Sequence, residues 1–337
     1  MEENNTAPRD AWLKDLKDGD RFCGFYLLKT VSSATASNGK AYLNLCLADR
    51  TGELSGRHFD SAGPIGAWDA GKPVWASGMV ESYKDKLQCK LDNLRLTDET
   101  DNVDLSRLIP TAPYDAKAML DYVEKTLRAI PDADYKAVCL SLLERHREDF
   151  AALPGAQKMH HAYLHGLLMH TANMMRLAEA LAFVYQDVAD GSLLMAGAFL
   201  HDIGKLKEFA LSPLGLVSGY SKEGQLLGHL FLGAEEVGAE ARALGIPEEK
   251  ALLLQHLLAS HHGEPELGAL TSPRCAEAEL LSAIDLLDSR MEMYRVACES
   301  TPEGSFTPEK VFGLRNRNIY HPLRSDGETP ERNGGGG

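Results

Sequence analysis

The apolar run Ser192–Leu200 ends in Leu200-His201-Asp202-Ile203-Gly204-Lys205. An imidazole and a carboxylate side by side at the end of a buried segment can bind one divalent metal, because both are direct ligands for Mn, Fe, Co, Zn or Ni. Taken alone, the pair is equally well explained as a hydrogen-bonded histidine at a polar helix end, since such pairs arise by chance.

The other histidines change that balance. Nine of the twelve lie between residues 160 and 262. His160, His161, His165 and His170 stand in Met159-His160-His161-Ala162-Tyr163-Leu164-His165-Gly166-Leu167-Leu168-Met169-His170-Thr171. His229 follows in Gly228-His229-Leu230-Phe231-Leu232-Gly233, and His256 and His261-His262-Gly263 come next. Asp285 sits beside Ile284, Leu286 and Leu287 on the predicted helix 278–295. Groups so far apart in sequence each belong to their own helix, and a bundle would gather them in one interior pocket. Burying them unpaired costs about 2 kcal/mol or more each, and ligation removes that cost. His170, His201, Asp202 and Asp285 are the candidates that packing explains least. For His160, His161, His165 and His256 a packing role serves as well.

The elements that must position these groups begin near Asp115. Ala118-Met119, Tyr122-Val123 and Leu127 recur at helical spacing until Pro131, and Val138–His146 forms a further helix. His146, set among Glu and Arg residues, reads as a solvated surface group. Pro154-Gly155 is a turn, and His170 opens an apolar helix through Met174, Leu177 and Leu181.

The N-terminal region has a different period. The segments 21–28, 41–48, 53–59, 73–83 and 87–96 alternate on a two-residue repeat with turn residues between them. Ser37-Asn38-Gly39-Lys40 carries the Asn-Gly signal of a tight hairpin. Five short strands predict a small OB-like barrel, a fold that grips single strands with basic grooves and aromatic platforms. Lys40, Tyr42, Arg50, Arg57, Phe59, Tyr83 and Lys84 are the candidate nucleic-acid contacts. Any one of these aromatics could equally fill the core.

The expected organisation is therefore multidomain, α and β. A five-stranded barrel spans 10–98, a linker with Pro110 and Pro113 spans 99–114, an all-α bundle spans 115–322, and a disordered tail spans 323–337. The net charge of −14 argues against a broad nucleic-acid footprint. Residues 21–95 nonetheless hold ten Lys/Arg against seven Asp/Glu, so a local basic face on the barrel is allowed. No apolar run is long enough for a membrane span, and the polar acidic start, 1–10, is no signal peptide. Six scattered cysteines without a CxxC pair read as reduced thiols, so a cytoplasmic location is expected.

His170…His201-Asp202…Asp285 resembles the HD-domain metal-dependent phosphohydrolases, and His229 with His261-His262 resembles the subset that holds two metals. The chain is more similar still to the YhaM-type 3′-5′ exoribonucleases, which join an OB-fold to an HD domain. Gly39-Lys40-Ala41-Tyr42-Leu43, Asp49-Arg50-Thr51-Gly52, His160-His161-Ala162-Tyr163, Ser260-His261-His262-Gly263, Asp285-Leu286-Leu287-Asp288 and Asn316-Arg317-Asn318-Ile319-Tyr320-His321-Pro322 carry that likeness over residues 15–322. His165 departs from it, since the family usually has glycine before the Gly-Leu-Leu.

The resemblance implies hydrolysis of single-stranded RNA, or single-stranded DNA, from the 3′ end. It implies that Asp202 bridges two ions, with His170, His201 and Asp285 on one and His229, His261 and His262 on the other. Asp202, Lys205 and His229 are the candidate catalytic groups, Lys205 as the holder of a phosphate oxygen. Mn fits the imidazole–carboxylate mix, with Fe, Co, Ni or Mg as alternatives. Asp288 reads as an acid outside the ligand set. Two rival readings remain at this point: an HD phosphohydrolase of nucleotides or cyclic dinucleotides, and a non-catalytic single-strand-binding protein. The resemblance leaves a homo-oligomer open.

Overall fold

The computed structural model describes residues 10–35, 39–59, 65–83, 86–98, 100–157, 161–212 and 214–323. The chain divides into two compact units, residues 1–111 with 212–214, and residues 112–211 with 215–337.

The first unit is a closed barrel of five strands: β1 (Arg21–Thr35), β2 (Ala41–Asp49), β3 (Gly52–Phe59), β4 (Pro73–Tyr83) and β5 (Lys86–Leu96). Their order around the barrel is β1-β2-β3-β5-β4, antiparallel except for the β3–β5 pair. That is the expected OB architecture. Alternation explains it, since Phe22, Leu28, Leu43, Leu45, Leu47, Leu54, Val74, Val80 and Leu91 point inward. Each fully buried side chain of this kind contributes about 1.5–3 kcal/mol.

Strand β1 runs seven residues beyond the expected 21–28. Its pairing with β4 ends at Leu27, where pairing with β2 begins, and the β2 register shifts between Leu28 and Thr30. The bulge bends one strand between two neighbours, and the polar half Ser32–Thr35 hides it from a periodicity reading. The segment 99–114, expected as a linker, contains α1 (Leu105–Leu108), whose Arg107 carbonyl accepts the Arg50 N–H at 2.9 Å.

The second unit is helical. In chain order it contains α2 (Ala116–Ala129), α3 (Ala133–Ala152), α4 (Gly166–Val184), α5 (Gly191–Leu200), α6 (Lys205–Glu208), β6 (Phe209–Leu211), β7 (Val217–Tyr220), α7 (Lys222–Ala243), α8 (Glu248–Ser260), α9 (Ala276–Glu299), β8 (Ser305–Phe306) and β9 (Tyr320–His321). The two short hairpins β6–β7 and β8–β9 are additions to the helical pattern. Asp115, Asp132, Asp190 and Ser221 start α2, α3, α5 and α7 by accepting hydrogen bonds from otherwise unpaired N–H groups of the first turn. Helix α5 is apolar on every side, and Leu193 to Leu200 are all buried. It is the post around which the other helices pack, and it delivers His201 and Asp202 to the middle of the unit.

His146 is not a solvated group. Its ring is half-buried, and Nε2 lies 2.8 Å from the buried carboxylate of Glu236. Among the described residues no helix is long and apolar enough to cross a membrane. All six cysteines are free thiols. The tail 324–337, residues Ser37 and Asn38 of the predicted hairpin, His160 and Lys84 lie outside the described residues.

Candidate metal centre

Asp202 follows α5 in a tight turn that leads into α6. Gly204 in that turn abuts α7. A Cβ at Gly204 would collide with the carbonyl oxygen of His229 and the amide of Gly233. Only glycine lets these backbones approach so closely, and the contact brings Asp202 and His229 into one pocket.

His229 is presented by a break in its helix. Gly228 has φ +71, a left-handed value that interrupts α7. Glu208, the last residue of α6, accepts the freed His229 N–H at 3.0 Å and the ring Nδ1–H at 3.0 Å. Burial pushes the Glu208 carboxyl up, and its hydrogen bonds to His229 outweigh that and hold it below its ordinary range.

Four imidazoles share one orientation. Nδ1 of His170 donates to Asp288 Oδ2 at 2.7 Å, and Nδ1 of His201 to the Ala198 carbonyl at 3.0 Å. Nδ1 of His229 donates to Glu208, and Nδ1 of His261 to the Leu258 carbonyl at 2.8 Å. An acceptor on Nδ1–H leaves Nε2 as the bare lone pair. All four Nε2 atoms surround Asp202. His201 and His170 lie 3.3 and 3.7 Å from its Oδ2, while His229 and His261 lie 3.6 and 3.9 Å from its Oδ1.

The centre therefore has two halves. His170, His201 and Asp285 form one group, and His229, His261 and His262 another, each with potential ligand atoms within 4.8 Å of one another. In the first half His170 Nε2 stands 3.3 Å from Asp285 Oδ1 and 3.0 Å from His201 Nε2. Two imidazole nitrogens at that distance need a proton or a cation between them. Burial opposes charge on His170, yet hydrogen bonds to Asp285 and Asp288 carry its pKa up to about 10. In the second half the buried Nε2 atoms of His229 and His261 have no hydrogen-bond partner. Orphaned nitrogens of this kind cost roughly 1–3 kcal/mol each. Burial, reinforced by neighbouring imidazoles, pushes His261 well below its ordinary value and lowers His262, which keeps both neutral and able to ligate. The donor set thus fits divalent metal on its chemistry, its orphaned atoms and its neutral imidazoles.

Lys205 lies on the cavity wall. Its Nζ donates to Asp202 Oδ2 at 2.7 Å and to the Gly155 carbonyl at 2.8 Å. The cavity measures about 490 Å³ and is lined by Asp202, Lys205, His261, His262, Asp285, Leu267, Ser282 and Leu286, among others.

All seven expected ligand residues meet here. His165 does not. It precedes α4 with φ +64, and its ring contacts the Ala151 carbonyl at 2.6 Å. The left-handed backbone accounts for the glycine the resemblance leads one to expect there. His256 also lies apart, its Nε2 accepting the Arg274 N–H at 2.9 Å. Two supporting acids, Glu208 and Asp288, belong to the centre. Glu208 was not expected, because in Lys205-Leu206-Lys207-Glu208 it reads as surface charge. The signal for Asp288 is its spacing, one turn after Asp285.

On the barrel, Tyr42 and Phe59 stack across the β2–β3 pair with ring centroids 5.4 Å apart. The Arg57 guanidinium lies 5.9 Å from the Tyr42 ring centroid and 5.8 Å from that of Tyr83. Phe59 and Tyr83 are 40% and 50% exposed, so these rings are not core. Tyr42, Arg57, Phe59 and Tyr83 thus form one patch. Lys40 is exposed just ahead of β2. Arg50 does not join the patch. It lies beyond the far end of β2, roughly 27 Å along the strand from Tyr42, with its guanidinium 4.9 Å from the Trp12 ring centroid.

The HD domain family matches residues 167–290. The 3′-5′ exoribonuclease YhaM of Geobacillus sp. (strain WCH70) is 35% identical over 317 residues, covering 94% of this chain and 96% of that protein. The 3′-5′ exoribonuclease YhaM of Bacillus subtilis (strain 168) is 36% identical over 305 residues, covering 90% of this chain and 96% of that protein. Among solved structures, the second OB-fold domain of replication protein A from Methanococcus maripaludis overlaps 29% of this chain and all of that domain, with TM-score 0.24 and 15% identity.

Proposed function

The chain belongs to the family of 3′-5′ exoribonucleases named YhaM, and we propose that it shortens single-stranded RNA from the 3′ end in a divalent-metal-dependent hydrolysis. The observation that carries the metal chemistry is the placement of Asp202, each of whose oxygens faces two imidazole Nε2 atoms.

In this reading His170, His201 and Asp285 hold one ion, His229, His261 and His262 hold a second, and Asp202 is shared. The imidazole-rich set favours Mn or another transition ion over Mg. Bound there, a divalent ion supplies a water of lowered pKa and neutralises charge on the phosphodiester.

The remaining work falls to the chain itself. Asp202 and Asp285 stay ionised, because neighbouring cationic groups outweigh the burial that opposes their charge. Lys205 already spans Asp202 and the Gly155 carbonyl, and its ammonium is assigned to a non-bridging phosphate oxygen. The cavity has the size of a small-molecule site and takes the terminal nucleotide. The barrel patch of Tyr42, Phe59, Arg57 and Tyr83 grips the strand by stacking and charge. Stacking does not distinguish sugars, so single-stranded DNA is a further substrate of the same chemistry.

The test is digestion of 5′-labelled single-stranded RNA with Mn, wild type beside Asp202→Ala. The expected result is a ladder shortening from the 3′ end, absent in the variant. Labelled fragments from cleavage at internal sites, or an equal ladder in both proteins, would overturn the assignment.

A further inference from the structure

Behind His170 a line of buried polar groups leads away from the metal centre. Asp288 Oδ2 accepts His170 Nδ1–H at 2.7 Å and His161 Nε2–H at 2.8 Å, while its Oδ1 accepts the Asn173 amide at 2.9 Å. His161 Nδ1 lies 2.9 Å from the Tyr163 hydroxyl, which lies 2.9 Å from Glu292 Oε1. Arg295 closes the line through its Nε, 2.7 Å from Glu292 Oε2. Asp285, Asp288 and Glu292 follow at helical spacing on α9, so one face of that helix supplies the ligand and both acids behind it.

His161 is held with unusual firmness. It is buried, with a left-handed φ of +55, a conformation that costs a non-glycine residue about 1–3 kcal/mol. Its carbonyl accepts the N–H groups of Gly155 and Tyr163 at 2.8 and 2.9 Å. Well-packed apolar side chains often replace a buried charged network without loss of stability, so pairing buried acids explains how the network is tolerated but not what it supports. Its geometry ends on one atom, the Nδ1–H of a proposed metal ligand.

We infer that His161 is a positioning residue for the metal ligand His170. With Asn173 it immobilises the Asp288 carboxylate, which fixes the His170 tautomer and aims Nε2 at the ion, and Tyr163 and Glu292 brace His161 from behind. The inference rests on the metal-dependent reading of the centre.

The experiment is Mn titration of the full-length metal-free protein by calorimetry, wild type beside His161→Leu, His161→Gln and Tyr163→Phe, with thermal unfolding of each. Loss of such a supporting contact typically weakens metal binding 10–100-fold. His161→Leu is expected to show that loss. His161→Gln is expected to recover most of it, because its amide can donate where Nε2–H did. Tyr163→Phe, which removes one hydroxyl and preserves packing, is expected to show a smaller loss of the same sign and stands in should the leucine variant not fold. Unchanged Mn affinity in the folded variants, with only a lower melting temperature, would overturn the inference and leave the metal reading intact. Failure of the wild type to bind Mn would overturn both.

Discussion

His229 gives two hydrogen bonds to a single oxygen of Glu208, one from its main-chain N–H and one from its ring, both 3.0 Å long. Main chain and side chain are thus anchored to one point, and the unpartnered Nε2 is left facing Asp202. Glu208→Ala is expected to weaken Mn binding about 10–100-fold. Activity should fall at limiting Mn and recover partly at high Mn. Activity measured across a Mn series checks this, and an unshifted Mn dependence would count against it.

Lys205→Met is expected to lower kcat by about 10²–10³, the scale of removing one preorganised donor from a developing charge. Because Lys205 is not a ligand, bound Mn should stay at the wild-type level. Metal analysis beside single-turnover kinetics separates the two effects.

On the barrel, Tyr42→Ala or Phe59→Ala is expected to cost about 1–3 kcal/mol of single-strand affinity, the worth of one base stacked on an aromatic ring. Arg57→Ala should reduce the slope of log K against log salt by about 0.7 if one phosphate contact is lost. Turnover of a dinucleotide should be unaffected by all three. Fluorescence anisotropy with a labelled oligonucleotide over a salt series provides the measurement.

Gly204→Ala is expected to destabilise the protein by about 1–3 kcal/mol, the usual scale of overpacking, because its Cβ meets the backbone of α7 rather than a movable side chain. The same displacement separates Asp202 from His229. Urea unfolding together with Mn affinity tests it, and a stable variant with normal Mn binding would show that the helices can shift apart.

Glu240 gives a pH dependence remote from the metal. The Ser141 hydroxyl and then Arg145 hold its carboxyl below the ordinary range against burial. A depressed folded-state pKa contributes stability above the unfolded value near 4.3, and that contribution disappears as pH falls through the folded value. The stability gap between wild type and Glu240→Gln should therefore be full at pH 7 and should shrink as pH falls below the unfolded value. Urea midpoints of the metal-free proteins at pH 7 and pH 3 provide the check.

The residues gathered at the centre were legible because their surroundings were wrong for their chemistry. His201 and Asp202 end an apolar helix, and Asp285 stands beside Ile284, so burial without a partner was the clue. Glu208, Asp288 and His161 carried no such contradiction. Each has a polar neighbour that makes a surface place as natural, and apart from the spacing of Asp288 only the fold shows that they face inward. Gly228 illustrates the same limit, because a break inside α7 depends on what Glu208 offers the freed N–H. In the barrel the alternation was legible, but the bulge that extends β1 follows from closure of the sheet, which no local period encodes. Arg50 and Arg57 looked alike as barrel cations, and strand register alone separates them.

The residues proposed as ligands come from five helices and turns spread between His170 and Asp285, and α9 contributes Asp285 as well as the brace of His170. During synthesis the ribosome releases these residues in order. A growing chain that has not yet released α9 lacks one ligand and the support of another, however far its other helices have folded. On the proposed ligand assignment, hydrolytic competence therefore waits for α9 to emerge from the ribosome, and copies that stop short of it would carry no complete centre.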